Sequence, residues 1–295
     1  MRRNRVAIVV PLTSRNTFTR DEEISLRHLE FHLGRYDRYF IAPRGANVHR
    51  PGFRVVTFAR RFFGSAATHN LLTHSAMMYS AFKRYEYVLI YHLDSLVFSD
   101  RLEYWCNAGV DYIGAPWIPC PQTPWVTEPR VGNGGFTLMK IDSVLRVLER
   151  RDSLFSSEYW SELLLRNQHL SSPLFEGLEL LQRVMPGSSP LLERPLRRRR
   201  ISLDPGAHGR NNDYFWSYEA VRYLPSFRVA TVEQGLQFAF EAAPRLCFEL
   251  NGRRLPFGCH AWTKFDRSFW EPHLLPVDAR GDDEDQDQDH EHASA

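Results

Sequence analysis

Four short segments of this chain carry residues that could do chemistry together. The first is Tyr85-Glu86-Tyr87-Val88-Leu89-Ile90-Tyr91-His92-Leu93-Asp94, an almost continuous apolar and aromatic run that ends in a lone acid. The second is the turn Gly132-Asn133-Gly134-Gly135, where small residues let a ligand approach the backbone closely. The third is Asn212-Asp213-Tyr214-Phe215-Trp216, an acid just ahead of an aromatic string, and the fourth is Phe257-Gly258-Cys259-His260-Ala261-Trp262. An Asp and a His are suitable ligands for a divalent ion, and a hard ion such as Mn²⁺ or Mg²⁺ shares its shell readily with phosphate oxygens. A separate carboxylate can accept a proton from an attacking hydroxyl. That set suits displacement of a nucleoside diphosphate. Each segment also has a purely structural use: Asp94 and Asp213 as caps, the glycines as a turn, His260 as a core histidine. It is their joint presence that points to a site.

The elements that must position these residues alternate along the first half. Val6–Val10 reads as a short buried strand, Ile24 to Leu33 as a helix ended near Gly34, Tyr39–Ala42 as a second strand and Phe53–Phe58 as a third. Leu71, Leu72, Ser75, Met78, Tyr79 and Phe82 share one helical face, with Thr68 as its cap. The acid-ended run follows and reads as a strand buried on both faces. This rhythm predicts an α/β fold with a mixed, mainly parallel sheet flanked by helices. In such sheets ligands bind at the carboxyl ends of the strands, where Asp94 falls. Phe136–Met139 is a further strand, and helices are expected around 143–151, 157–168 and 174–185.

One domain spanning residues 1–277 accounts for the pattern, with a flexible Arg-rich loop at 186–204 and a disordered acidic tail at 278–295. The chain has 295 residues and a net charge of +2, from 37 basic and 35 acidic side chains. Residues 277–295 hold 8 of the acids and 1 of the bases, which leaves 27 acids, 36 bases and a net +9 on residues 1–276. A basic body fits a polyphosphate ligand. Arg197–Arg200 sits in a Pro/Ser/Gly stretch without interleaved aromatics, so a solvated loop is expected rather than a nucleic-acid site; the same run suits peripheral contact with an anionic membrane surface. The four cysteines form no CxxC pair, and the basic N-terminus precedes an apolar run too short to span a membrane. A cytoplasmic location fits both.

With these residues in view, the chain resembles GT-A-type (Rossmann-like) glycosyltransferases, and more narrowly an uncharacterised domain family related to them. The resemblance rests on the strand ending in His92-Leu93-Asp94, then Trp105-Cys106, Asp111-Tyr112-Ile113-Gly114-Ala115-Pro116-Trp117, Val131-Gly132-Asn133-Gly134-Gly135-Phe136, the Asp213 segment and Pro256-Phe257-Gly258-Cys259-His260-Ala261-Trp262. It covers roughly residues 5–270. It implies transfer of a sugar from a nucleotide-sugar donor, most simply uridine-linked, to an acceptor hydroxyl. The acceptor class stays open between carbohydrate, lipid-linked and protein acceptors. The family's Asp-x-Asp triplet corresponds to His92-Leu93-Asp94, with the first acid replaced by His. Asp94 and His260 are then the expected ligands for Mn²⁺ or Mg²⁺. Asn133, Gly134 and Gly135 lie against the donor sugar, with His92 beside them. Pro11, Thr13 and Arg15 follow the first strand where the nucleoside usually sits, and Asn70 is a further candidate for that pocket. Asp213 matches the second acid of a Glu-Asp pair and is the expected catalytic base, with Asn212 in place of the first. Loss of the first acid of both motifs keeps open an alternative, a catalytically inactive nucleotide- or sugar-binding protein of the same fold.

Overall fold

The computed structural model describes residues 5–12, 17–153 and 212–276. The expected helices at 157–168 and 174–185, the Arg-rich loop and the acidic tail lie outside the described residues. So do Thr13 and Arg15.

The apolar runs make a six-stranded central sheet. Its strands are β1 (Val6–Pro11), β2 (Asp37–Pro43), β3 (Phe53–Phe58), β4 (Tyr87–Tyr91), β6 (Tyr112–Ile113) and β9 (Phe136–Lys140). Their order is β3-β2-β1-β4-β9-β6. β3, β2, β1 and β4 are mutually parallel, and β9 runs antiparallel to both β4 and β6. The sheet is therefore mixed and mainly parallel, as the alternation of elements predicts. From β1 the chain winds outward through β2 and β3, then returns to place β4 on the other side of β1. The carboxyl ends of β1 and β4 thus flank a reversal of strand order, the place where open α/β sheets form their ligand crevice.

Val6 to Val10 and Tyr87 to Tyr91 are all buried, which explains why neither run alternates with polar residues. Helix α1 (Arg20–Leu33) starts at a capping box made by Thr19 and Glu22 and packs on the end of β4. The Tyr91 hydroxyl, fully buried there, donates to the Ser25 and Ser95 carbonyls at 2.9 and 3.0 Å. Phe31 is not part of the α1 core face; it is 70% exposed. The expected helix through Leu71 and Phe82 is two helices, α2 (Ala66–Thr73) and α3 (Ala76–Ser80). Ser65 is the cap of α2, and Thr68 is its N3 partner in the box. The two are separated at His74-Ser75.

A smaller sheet joins β10 (Ala239–Phe240), β11 (Gly258–Cys259) and β5 (Leu96–Val97), and a hairpin pairs β7 (Pro116–Trp117) with β8 (Arg130–Val131). Among the described residues no helix is long and apolar enough to cross a membrane.

His28, on α1, is buried and joins three segments. Its Nδ1 lies 3.0 Å from the Val97 carbonyl and its Nε2 accepts from the Leu275 backbone N–H at 3.0 Å. Only a neutral ring serves both, and burial pushes its pKa from 6.5 down to about 4, against the Val97 bond. Below pH 6.5 the unfolded chain takes up a proton that the folded chain refuses. Stability is therefore lost as pH falls from about 6.5 to about 4, by up to about 3 kcal/mol from this group. His28→Leu is expected to melt lower at pH 7 and to lose this part of the pH slope. Equal slopes in both proteins between pH 4 and 6.5 would exclude His28 as the cause.

Candidate functional site

β4 ends at Tyr91, and His92-Leu93-Asp94 turns away from the sheet. The backbone N–H of His92 still donates to the Gly135 carbonyl at 2.8 Å, so the first residue of the triplet is locked opposite the Gly-rich turn. Beyond β11, the Trp262 N–H donates to the Asp94 carbonyl at 3.1 Å, and the His260 N–H to that of Phe240 at 2.9 Å. Three segments distant in sequence are thereby tied by backbone bonds at one point.

Their side chains meet there. His92, Asp94 and His260 each offer one donor atom, all within 4.8 Å of one another. His260 Nε2 lies 3.2 Å from Asp94 Oδ1, and the two imidazole rings are 5.4 Å apart at 75°. Burial opposes the charge on His260, but Asp94 and Glu241 outweigh it and raise its pKa to about 10. Burial likewise opposes the Asp94 charge, and His260 more than offsets this, holding Asp94 at about 2. His92 is driven down to about 3, by burial and then by the charge of His260. At neutral pH the cluster thus holds a neutral His92 and a His260–Asp94 ion pair.

Two imidazole nitrogens and one carboxylate oxygen suit a divalent cation. Of the two hard ions, Mn²⁺, a first-row transition metal, accepts imidazole nitrogen more readily than Mg²⁺, which keeps to oxygen ligands.

The Gly-rich turn is the bed of the cluster. Asn133 adopts a left-handed backbone with φ 60°, which Asn tolerates better than most residues. Its Oδ1 accepts from the Gly135 and Phe136 N–H groups at 3.1 and 3.3 Å, leaving Nδ2 3.0 Å from His260 Nδ1. A Cβ on Gly135 would lie 2.0 Å from His260 Nε2, so only glycine lets the imidazole rest on the backbone. The Asp111–Trp117 string supports this bed. Tyr112 donates to the Asn133 carbonyl at 3.1 Å, and a Cβ on Gly114 would lie 2.4 Å from the Gly132 carbonyl oxygen. Asp111 itself is taken up by Ser143 Oγ and the Arg228 N–H, at 2.7 and 2.8 Å.

Asp213 lies in the short helix Asn212–Tyr214 and accepts a hydrogen bond from the Gly134 N–H. Burial and the nearby Glu241 carboxylate raise its pKa to about 6, against that bond and the charge of His260. It is thus a carboxylate at neutral pH with a basicity close to that of a histidine.

The structure brings together His92, Asp94, Asn133, Gly134, Gly135, Asp213 and His260. Pro11 ends β1, and Asn70 lies in α2 directly after His69. Two participants had no signal in the sequence. Glu241 Oε1 is 2.9 Å from His260 Nδ1, and a carboxylate on that nitrogen fixes its proton there and leaves Nε2 to face the cluster. His69 meets the His92 ring edge-on at 5.9 Å. Neither residue stands in a recognisable string; each is placed by packing from another element.

The described residues therefore form a doubly wound α/β unit with a His₂Asp cluster and a separate basic carboxylate at its crevice. The chain belongs to the family described as protein of unknown function (DUF5672), whose model matches residues 52–260. No curated protein matches it. Several solved structures are similar over most of this chain. The glycosyltransferase GlyE of Streptococcus pneumoniae TIGR4 aligns with a TM-score of 0.43 and 11% identity over 93% of this chain, which spans 61% of GlyE. A glycosyltransferase involved in glycosylation of the major capsid of PBCV-1 gives 0.41 and 11% over 91% of this chain and 97% of its own. The galactosyltransferase LgtC, in complex with donor and acceptor sugar analogs, gives 0.40 and 10%, covering 92% and 98%.

Proposed function

We propose that this protein is a nucleotide-sugar-dependent glycosyltransferase that uses a divalent cation, Mn²⁺ in preference to Mg²⁺, and that its donor is uridine-linked. The observation that carries the reading is the convergence of His92, Asp94 and His260 beside Asp213, at the reversal of strand order, on one Gly-rich turn. The triplet His92-Leu93-Asp94 occupies the position of the Asp-x-Asp motif of GT-A enzymes. The donor diphosphate lies over the cluster, with its nucleoside toward the carboxyl end of β1 at Pro11 and its sugar against Asn133–Gly135. When bound to His92, Asp94 and His260, a divalent cation supplies positive charge that offsets the charge developing on the leaving diphosphate. Asp213 takes the proton of the acceptor hydroxyl as its oxygen bonds to the anomeric carbon. The bond from that carbon to the diphosphate breaks, and the electron pair leaves with the nucleoside diphosphate. A direct displacement of this kind inverts the anomeric centre.

Calorimetry and thermal shift with UDP, GDP, CMP and their sugars, with and without Mn²⁺, test this reading. Cation-dependent binding of UDP and slow hydrolysis of its sugar without acceptor are expected. Nucleotide binding with no hydrolysis would favour the inactive binding protein, and no nucleotide binding would sink the transferase and leave only a sugar-binding protein of this fold.

Glu241 acts in this scheme by orienting His260. Glu241→Gln is expected to weaken Mn²⁺ binding by roughly 10–100-fold, the range seen when such outer carboxylates are lost. Direct titration of the metal checks this, and an unchanged affinity would show that the ring is oriented without Glu241.

A further inference from the structure

A row of aromatic rings leads away from Asp213. Tyr214, next in sequence, stacks on Tyr218 at 4.5 Å and 19°. Tyr218 lies 6.3 Å from Trp117 with the two planes 17° apart, and Trp117 meets Trp125 edge-on at 5.1 Å. Trp117 is buried, Tyr214 and Tyr218 are half-buried, and Trp125 is 47% exposed. The row is fixed to the candidate site at its base as well, because the Trp117 ring lies where a Cβ on Gly132 would be, at 2.2 Å. Gly132 opens the turn that carries Asn133, Gly134 and Gly135.

The row is built rather than incidental. Directly after Tyr214 the chain forms a π-helical turn, Phe215–Glu219, which carries Tyr218; this rare geometry is frequent at functional sites. Arg130 lies over the Tyr218 ring at 3.9 Å and is held by the Ser217 carbonyl at 2.6 Å. A charged group and two phenols are therefore part of the row. An acyl chain or an apolar peptide face would need continuous apolar surface. Tyr214 and Tyr218 turn their faces on each other and Arg130 covers Tyr218, so the row offers a ligand the exposed Trp125 indole with phenol and guanidinium groups beside it; a pyranose, with one C–H face and a rim of hydroxyls, matches that mixture. A nucleobase would also stack. The nucleoside position at β1, however, is on one side of β4, whereas the β7–β8 hairpin that carries Trp117 and Arg130 leaves β6 and leads into β9, the strands on the other side.

We propose that the row from Tyr214 to Trp125 is a saccharide-binding platform that holds a carbohydrate acceptor with a hydroxyl toward Asp213. The assignment rests on the transferase reading above and narrows its acceptor to a sugar.

The test is saturation-transfer NMR and tryptophan fluorescence on the full chain. The probes are the methyl glycosides of glucose, galactose, mannose and N-acetylglucosamine, with lactose and cellobiose, each with and without UDP and Mn²⁺. At least one saccharide is expected to receive saturation on one ring face. Its affinity should fall at least 10-fold in Trp125→Ala and recover in Trp125→Phe, with melting temperatures unchanged because Trp125 is exposed. No saccharide bound, or binding indifferent to Trp125→Ala, overturns the platform. UDP binding alongside that failure leaves the donor reading standing. UDP itself competing at Trp125 also overturns the platform, in favour of a nucleobase site. A saccharide held at Trp125 by protein that binds no nucleotide keeps the sugar site and overturns the transferase reading instead.

Discussion

Replacing Asp213 by Asn is expected to lower turnover by roughly 10²–10⁴-fold while leaving donor binding close to normal and making the protein more stable. The two effects share one cause. Burial and Glu241 raise the Asp213 pKa from 3.8 to about 6, so the folded chain holds this proton more tightly than the unfolded chain does. As pH rises from 3.8 through 6 the folded state loses stability, and at neutral pH the charged carboxylate costs up to about 3 kcal/mol. Asn removes that cost and keeps an acceptor for the Gly134 N–H. It also removes the base. In wild type the same pKa makes kcat/KM rise with pH through about 6, and the variant should lack that limb. Steady-state kinetics and melting curves at pH 7.5 read both effects. Full activity in Asp213→Asn would end the assignment. Lost activity with lost stability would mean that Asp213 is only a structural group.

The second large effect concerns cation binding and its pH dependence. Asp94→Ala and His260→Ala should each abolish calorimetric binding of Mn²⁺ and the Mn²⁺-dependent part of UDP affinity. In the wild-type protein the pKa of His260, about 10, means that the ring carries a proton on Nε2 at pH 7. That proton must leave before the nitrogen can act as a ligand. Binding at pH 7 should therefore release close to one proton, read from the buffer dependence of the calorimetric enthalpy. Affinity should rise by up to tenfold per pH unit between about 7 and 9. An affinity flat with pH would show that His260 is neutral and that Asp94 and Glu241 do not hold it charged. Removing His260 leaves Asp94 without its ion-pair partner, so the Ala variant also loses the cause of the low Asp94 pKa.

All three variants act on residues visible in the sequence, and the reason is local chemistry. An unbroken apolar run such as Tyr87–Tyr91 specifies a strand buried on both faces, because only an interior strand hides every side chain. The acid that ends it stands out for the same reason. The alternation of such runs with helical faces, of which α1 is one, specifies the mainly parallel α/β sheet. Glycines and Asn133 in one short string marked a turn open to a ligand, because few other residues take a left-handed backbone or leave the space that His260 fills. Short helices are less legible in sequence: the apolar spacing from Leu71 to Phe82 runs across the break between α2 and α3, since periodicity does not register two residues out of helical form.

Which groups touch was left to the tertiary structure. Glu241 and His69 have neighbours in sequence that say nothing of a site, and they reach it only because β10 pairs with β11 and α2 packs beside the end of β4. The proton on His260, the basicity of Asp213 and the row of rings from Tyr214 to Trp125 likewise depend on distances across the sheet. Hydrophobic spacing is a property of one element and is written in its own residues. Charge coupling, burial and ring stacking are properties of pairs, and only the order of the strands decides which pairs meet.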